Sequence, residues 1–148
     1  MDYNELTPFN ECELEPGISV TPLPALHAFE IGGAYNYLFN VNGKGLVIGN
    51  DTGWWKDDVW DYLGGTKLDV VVMDCTNGKI DNSGGHLGAP NVVQVKDKLE
   101  ELGVLNDDCQ FIANHFSHNG GWLHEELEQF LNPHGITVGY DGMEIDFA

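Results

Sequence analysis

Arginine is absent from this chain of 148 residues, and lysine supplies all 6 basic residues against 24 acidic ones, a formal charge of −18. A surface that negative repels phosphate backbones and argues against binding DNA or RNA. It attracts cations, metals among them, and it also serves plain solubility. No apolar run approaches the roughly 18 residues that a membrane span needs. Residues 1–16 have neither a basic start nor an apolar stretch, so they do not read as a signal peptide. Cysteine is scarce: Cys12, Cys75 and Cys109 are odd in number and far apart. They read as reduced thiols of a cytoplasmic protein, and no CxxC pair offers a thiolate zinc site. There is no internal repeat and no low-complexity linker. What is present is 42% hydrophobic and 11% aromatic, which at this length means one ordered domain with a core.

The first half reads as strands. Residues 18–23 are β-branched and stop at Pro22 and Pro24, and residues 35–41 alternate. Asn42-Gly43 then supplies a hairpin turn into residues 45–49. Trp55, Val59, Trp60 and Leu63 recur at helical spacing, which predicts a helix over 54–63. The second half changes rhythm. Residues 68–73 (LDVVVM) form a continuous apolar run, as in a strand buried on both faces. Pro90 opens a helix whose stripe is Val92, Val95, Leu99 and Leu102, and Gly103 ends it. Residues 110–114 read as a strand and residues 122–131 as a helix stopped by Pro133. Residues 136–140 and 143–147 read as two more strands. Strands and helices alternating at this spacing imply an α/β fold with a parallel or mixed sheet.

In such a sheet, ligands bind at the carboxyl ends of the strands. Polar, metal-competent residues recur there: His27 after 18–23, Asp51 after 45–49, Asp74 after 68–73 and His115 after 110–114. Each has an ordinary explanation, since an Asp after a strand caps a turn and a lone His is commonly packing or surface. Their repetition at equivalent ends points to a site, and two His with a carboxylate suit zinc, manganese or iron. The densest signal is Asn114-His115-Phe116-Ser117-His118-Asn119-Gly120-Gly121, which can turn two imidazoles inward. Asp81-Asn82-Ser83-Gly84-Gly85-His86 is a second polar loop just before the Pro90 helix. Its backbone N–H groups are expected either to face an anion or to belong to a plain surface loop. His124 and His134 read as surface residues. Asp51-Thr52-Gly53 resembles the loop of aspartic proteases, but Trp54-Trp55 follows it and no second copy exists, so that reading is rejected.

With these residues assembled, the chain resembles the metallo-β-lactamase superfamily, in particular the branch containing the phosphoribosyl cyclic phosphodiesterase of phosphonate metabolism. The resemblance runs through Thr21-Pro-Leu-Pro-Ala-Leu-His27, Tyr35-Asn-Tyr-Leu, Gly49-Asn-Asp51-Thr-Gly53, residues 68–75, His86, Asn114-His115-Phe-Ser-His118 and Gly139-Tyr-Asp-Gly-Met-Glu144. It implies that His27 ligates a first metal, that Asp51 bridges two metals and that His115 ligates the second. It implies that His86 lies by the substrate's leaving group, and that His118 matches a histidine of a separate structural zinc. The cysteines that would complete that zinc site are missing. The superfamily's His-x-His-x-Asp-His signature is absent as well.

The expectation is therefore the C-terminal half of a metallo-β-lactamase αββα sandwich over residues 1–148, a single incomplete domain. Its complete form would hold two divalent metals, zinc or manganese, and hydrolyse a small phosphodiester, with Asp51 and His86 catalytic. His27, Asp51 and His115 would hold metal, and Asp74 or His118 would support them. This chain alone is expected to be nearly inactive, and cytoplasmic without contact to nucleic acid or membrane. It is expected either to self-associate or to lack its N-terminal half. The rival reading is a non-catalytic half-fold acting as a dimer or a partner-binding module.

Overall fold

The structure, a computed structural model, describes residues 5–28 and 33–146. Among them, seven strands lie side by side in sequence order in one sheet. They are β1 (Cys12–Glu15), β2 (Ile18–Ala25), β3 (Ala34–Val41), β4 (Lys44–Gly49), β5 (Leu68–Asp74), β6 (Leu105–Asn114) and β7 (Thr137–Val138). β1 to β4 form an antiparallel meander, and β4 to β7 run parallel. The three parallel steps are bridged by α1 (Asp57–Leu63), α2 (Ala89–Glu101) and α3 (His124–Leu131). Right-handed crossovers that all step the same way put their helices on one face of a sheet. The core is consistent with this. Val47, Val71, Met73, Phe111, Ala113 and Val138 of the sheet cluster with Val59 and Leu63 of α1, Val92, Val95 and Leu99 of α2, and Leu127 and Leu131 of α3.

Strand alternation sends the intervening residues to the other face. These are Phe39, Leu46, Ile48, Val70, Val72 and Ile112, which the register aligns across the sheet. Val70 and Ile112 are buried and the other four half-buried. The cover at one end comes from the C-terminal segment. Val72, Ile112, Tyr140, Met143 and Ile145 line a cavity of about 210 Å³. Residues 143–146, expected as part of a strand over 143–147, pair with no strand; residue 147 lies outside the described residues. After the turn at Gly142 (φ +83°) the segment is instead held by Gln110 Nε2, which donates to the Asp146 carbonyl at 3.1 Å.

Other elements depart from expectation for local reasons. α1 starts at Asp57 rather than at residue 54, because the preceding residues are committed to a turn. Gly53 N donates to Leu26 O, Trp54 N to Ser83 O, and the Trp55 indole to Asn36. Asp57 and Asp58 then occupy the first helical turn, where the helix dipole favours acids. β6 begins at Leu105, five residues early, through Asn106, Asp107 and Asp108 and an irregular register. Polar residues at that end hide the strand from an apolar pattern. β1 (CELE) is an edge strand masked in the same way. α2 follows its sequence signals: Pro lies in its first turn, and Gly103 beyond its end has φ +67°. The three cysteines are unpaired, with Cys75 buried. No helix among the described residues is long and apolar enough to cross a membrane.

Candidate metal centre

Two antiparallel steps make β2 parallel to β4, so the carboxyl ends of β2, β4, β5 and β6 share one edge. His27 follows β2, Asp51 follows β4, Asp74 closes β5 and His115 follows β6, while His86 rides the loop between β5 and α2. The side chains converge on Asp51. Its Oδ1 lies 4.0 Å from His27 Nε2, 3.5 Å from His115 Nε2 and 3.9 Å from His86 Nδ1. One ligand atom each from Asp51, Asp74, His86 and His115 can be chosen so that all four lie within 4.8 Å of one another. The His27 ring meets the His86 ring edge-on at 4.7 Å, and His86 stacks on His115 at 5.9 Å.

Each imidazole is anchored through Nδ1. His27 Nδ1 lies 3.0 Å from the Gly85 carbonyl, His86 Nδ1 2.9 Å from Asp74 Oδ2, and His115 Nδ1 2.8 Å from Thr76 Oγ1. An Nδ1–H donated to such an acceptor leaves Nε2 as the free nitrogen, and this is how metal-binding histidines are usually oriented. The two imidazoles of His27 and His115, so fixed beside a half-exposed carboxylate, are a donor set that fits zinc or manganese.

Asp74 has a different place from Asp51. It is fully buried and accepts five hydrogen bonds. Oδ1 takes Thr76 N at 3.0 Å and Leu87 N at 3.1 Å; Oδ2 takes Asp51 N at 3.0 Å, the Thr76 hydroxyl at 3.1 Å and His86. The turn-cap explanation of Asp74 is thus correct for Thr76 and incomplete, because the same carboxylate also fixes Asp51 and His86. Thr76 escaped sequence reasoning. Its signal was its place directly after Asp74-Cys75, at the carboxyl end of a strand already read as buried on both faces.

Asp51 (φ +50°) and His115 (φ +61°) both have left-handed backbones. For residues with a Cβ this costs about 1–2 kcal/mol, so it persists only where neighbours hold it. At His115 the ladder continues past the strand end, with Cys75 N donating to Asn114 O at 2.8 Å, and Thr76 Oγ1 lies 2.8 Å from the His115 carbonyl. At Asp51, Thr52 Oγ1 takes Leu26 N at 3.1 Å, which ties the turn to the strand before His27. Gly53 is required here: a Cβ on it would lie 2.0 Å from Ser83 O and 2.5 Å from Gly85 N.

The loop at 81–86 is no anion cradle at the amides its contacts settle. The N–H groups of Asn82 and Gly88 donate to Asn91 Oδ1, that of Gly84 to Asn82 Oδ1 and that of Leu87 to Asp74. The Asn91 side chain takes the place that an anion would have at the start of α2. The loop instead carries His86, and the Gly85 carbonyl that anchors His27. His118 stands apart, exposed on a 3-10 turn, and the described residues bring no second ligand group together around it. His124 lies 3.4 Å from Glu128 and His134 packs on Phe130, both exposed.

No family model matches the sequence, and no curated protein does. Solved structures do. An isothiocyanate hydrolase from Delia radicum gut bacteria superposes at a TM-score of 0.71 and 19% identity, covering 99% of this chain and 60% of its own. A diphosphatase from the PhnP family gives 0.70 and 23%, covering 94% and 46%. The metallo-β-lactamase fold protein YhfI from Bacillus subtilis gives 0.67 and 14%, covering 93% and 53%. The chain has the metallo-β-lactamase fold, and it spans about half the length of the structures it matches.

Proposed function

We propose that this chain is part of a metal-dependent hydrolase acting on a phosphodiester and carries a minority of that site's metal ligands. The observation that carries the reading is the convergence of His27 and His115, both through Nε2, on one oxygen of Asp51. A divalent metal bound there would supply a water acidic enough to serve as a nucleophile near neutral pH. His27, Asp51 and His115 would be among the ligands, His27 toward one metal and His115 toward a second, as the resemblance implies. His86 donates Nδ1–H to Asp74, which leaves Nε2 free to hold a proton for a leaving oxygen. Phosphorus as the reaction centre is favoured by the resemblance of the chain, His86 included, to the cyclic phosphodiesterase branch, and by the likeness to a diphosphatase.

The remaining ligands would come from a His-x-His-x-Asp-His half, and the cover for the second sheet face from that half or from a second copy of the chain. The unpaired thiols favour a cytoplasmic setting. The alternative, a non-catalytic partner-binding half-fold, is favoured by the half-buried apolar residues on that same face. Metal analysis of the purified chain with a bis-p-nitrophenyl phosphate assay separates the two. The expected result is weak metal binding with negligible turnover, metal being lost more completely in Asp51→Ala than in His86→Ala. No metal uptake under any condition would favour the binding module. Full two-metal occupancy with brisk turnover would overturn the view that the site is incomplete.

A further inference from the structure

The peptide joining Asn50 to Asp51 is gripped at both ends. Its N–H, that of Asp51, donates to Asp74 Oδ2 at 3.0 Å. Its carbonyl, that of Asn50, accepts from Asn36 Nδ2 at 2.7 Å. Fixing one peptide plane at both its oxygen and its nitrogen fixes the torsions on either side, and one of these is the left-handed φ of Asp51. The direction of the Asp51 carboxylate follows from that torsion.

The place of Asn36 explains why a side chain is used. The ladder between β3 and β4 ends at Tyr37 opposite Ile48, so beyond it no backbone partner from β3 reaches Asn50. Asn36 is the next residue back along β3, and its amide takes over the missing hydrogen bond. It is 1% exposed, and its other atom is also committed: Oδ1 accepts the Trp55 indole N–H at 2.6 Å. That bond decides which end of the amide faces Asn50, since an indole can only donate. Trp55 is itself held, its carbonyl accepting the Trp60 indole at 2.9 Å.

We propose that Asn36 is a positioning residue for Asp51, oriented by Trp55 and acting through the Asn50–Asp51 peptide. The proposal rests on reading Asp51 as a metal ligand. Asn36→Asp keeps the shape of the side chain and replaces the N–H donor with an oxygen facing the Asn50 carbonyl. Trp55→Phe keeps a buried ring and removes only the N–H that orients Asn36. Leu127→Ala is the control, opening a cavity under α3, which packs by β7 on the far side of the sheet from β3.

The probe is Co²⁺ alone, titrated into the full chain and followed by its visible spectrum, together with NMR of the Asp51 amide. Asn36→Asp should weaken Co²⁺ binding about tenfold or more, the usual effect of losing a group that orients a ligand. It should also alter the Co²⁺ spectrum, and change the φ-dependent coupling and the exchange rate of the Asp51 amide. Trp55→Phe should do the same to a smaller degree, and it carries the test if Asn36→Asp does not fold. Leu127→Ala should lower Tm and leave all these readouts unchanged. If the Asn36 and Trp55 variants lower Tm yet keep Co²⁺ affinity and the Asp51 coupling of the parent, Asn36 is merely structural and the proposal falls. If the parent binds no Co²⁺, the metal reading fails separately. The clamp then stands or falls on the Asp51 coupling and exchange, which need no metal.

Discussion

Replacing Asp74 with asparagine should cost far more than its near-identical shape suggests. The carboxylate serves five donors with two oxygens. Asparagine keeps one oxygen. Facing Thr76 N and Leu87 N, that oxygen would leave an NH₂ group against Asp51 N–H, the Thr76 hydroxyl and His86 Nδ1. The hydroxyl can rotate and accept, and His86 can move its proton to Nε2 and accept at Nδ1. The Asp51 amide has no such choice, and an unsatisfied donor costs about 1–3 kcal/mol. The opposite orientation leaves two backbone amides unsatisfied. Adding the weaker, uncharged bonds that remain, the loss should be about 2–4 kcal/mol. For a domain of this size that lowers Tm by roughly 5–15 °C. Urea unfolding with an unchanged m-value would measure it. ¹⁵N NMR of His86 would report the proton moving from Nδ1 to Nε2. Stability within about 0.5 kcal/mol of the parent, with the His86 proton still on Nδ1, would refute this account of Asp74 as the acceptor that organises the site.

Three further outcomes can be checked. Burial pushes the Cys75 thiol from 9.0 up to about 12, helped by the nearby Asp74 charge. The unfolded chain therefore loses that proton first, and the stability tied to the neutral thiol is complete below about pH 9 and drains away as pH rises toward 12. Urea melts between pH 8 and 11 should show a decline that Cys75→Ala lessens. Gly53→Ala should destabilise the fold by about 1–3 kcal/mol, because its Cβ would strike backbone rather than a movable side-chain tip; His86 amide exchange should quicken with it. In sedimentation at 0.15 M salt the chain should self-associate through the face carrying Phe39, Leu46, Ile48 and Val72. At low ionic strength it should dissociate, as repulsion between copies of charge −18 is no longer screened. A compact monomer at 0.15 M salt would show that this face needs no cover.

The parts of the fold legible in the sequence are those written in apolar spacing. LDVVVM became the interior strand β5, and the stripe Val92, Val95, Leu99 became the buried side of α2. The hairpin at Asn42-Gly43 formed where the turn residues placed it. The gathering of His27, Asp51 and His115 at one edge was legible too, because parallel strands of similar length bring their carboxyl ends together whatever the details between them. Elements carried by polar residues were not. β1 is held by ladder bonds to β2, and the first half of β6 by the Leu105 pairing and by Asn106 reaching Asp69 at 2.9 Å, and neither leaves a hydrophobic signature. Residues 143–146 alternate like a strand, yet Met143 and Ile145 line a cavity beside Val72 and Ile112 without any ladder partner.

The aim of the side chains was the part hidden most deeply. Asp51 and His115 owe their directions to left-handed backbones, an uncommon conformation for any residue but glycine even though asparagine, aspartate and histidine adopt it more often than the rest. Such a conformation can be read only from what grips it, and the gripping groups are distant in sequence. Asn36 lies fourteen residues before the carbonyl it holds. Asp74 lies twenty-three residues beyond the amide it accepts. Met73 and Val71 place Asp74 by core packing, and β3 places Asn36 by register. The ordinary apolar pattern therefore does orient the polar centre, but by way of two buried polar residues whose partners appear only once the sheet has formed.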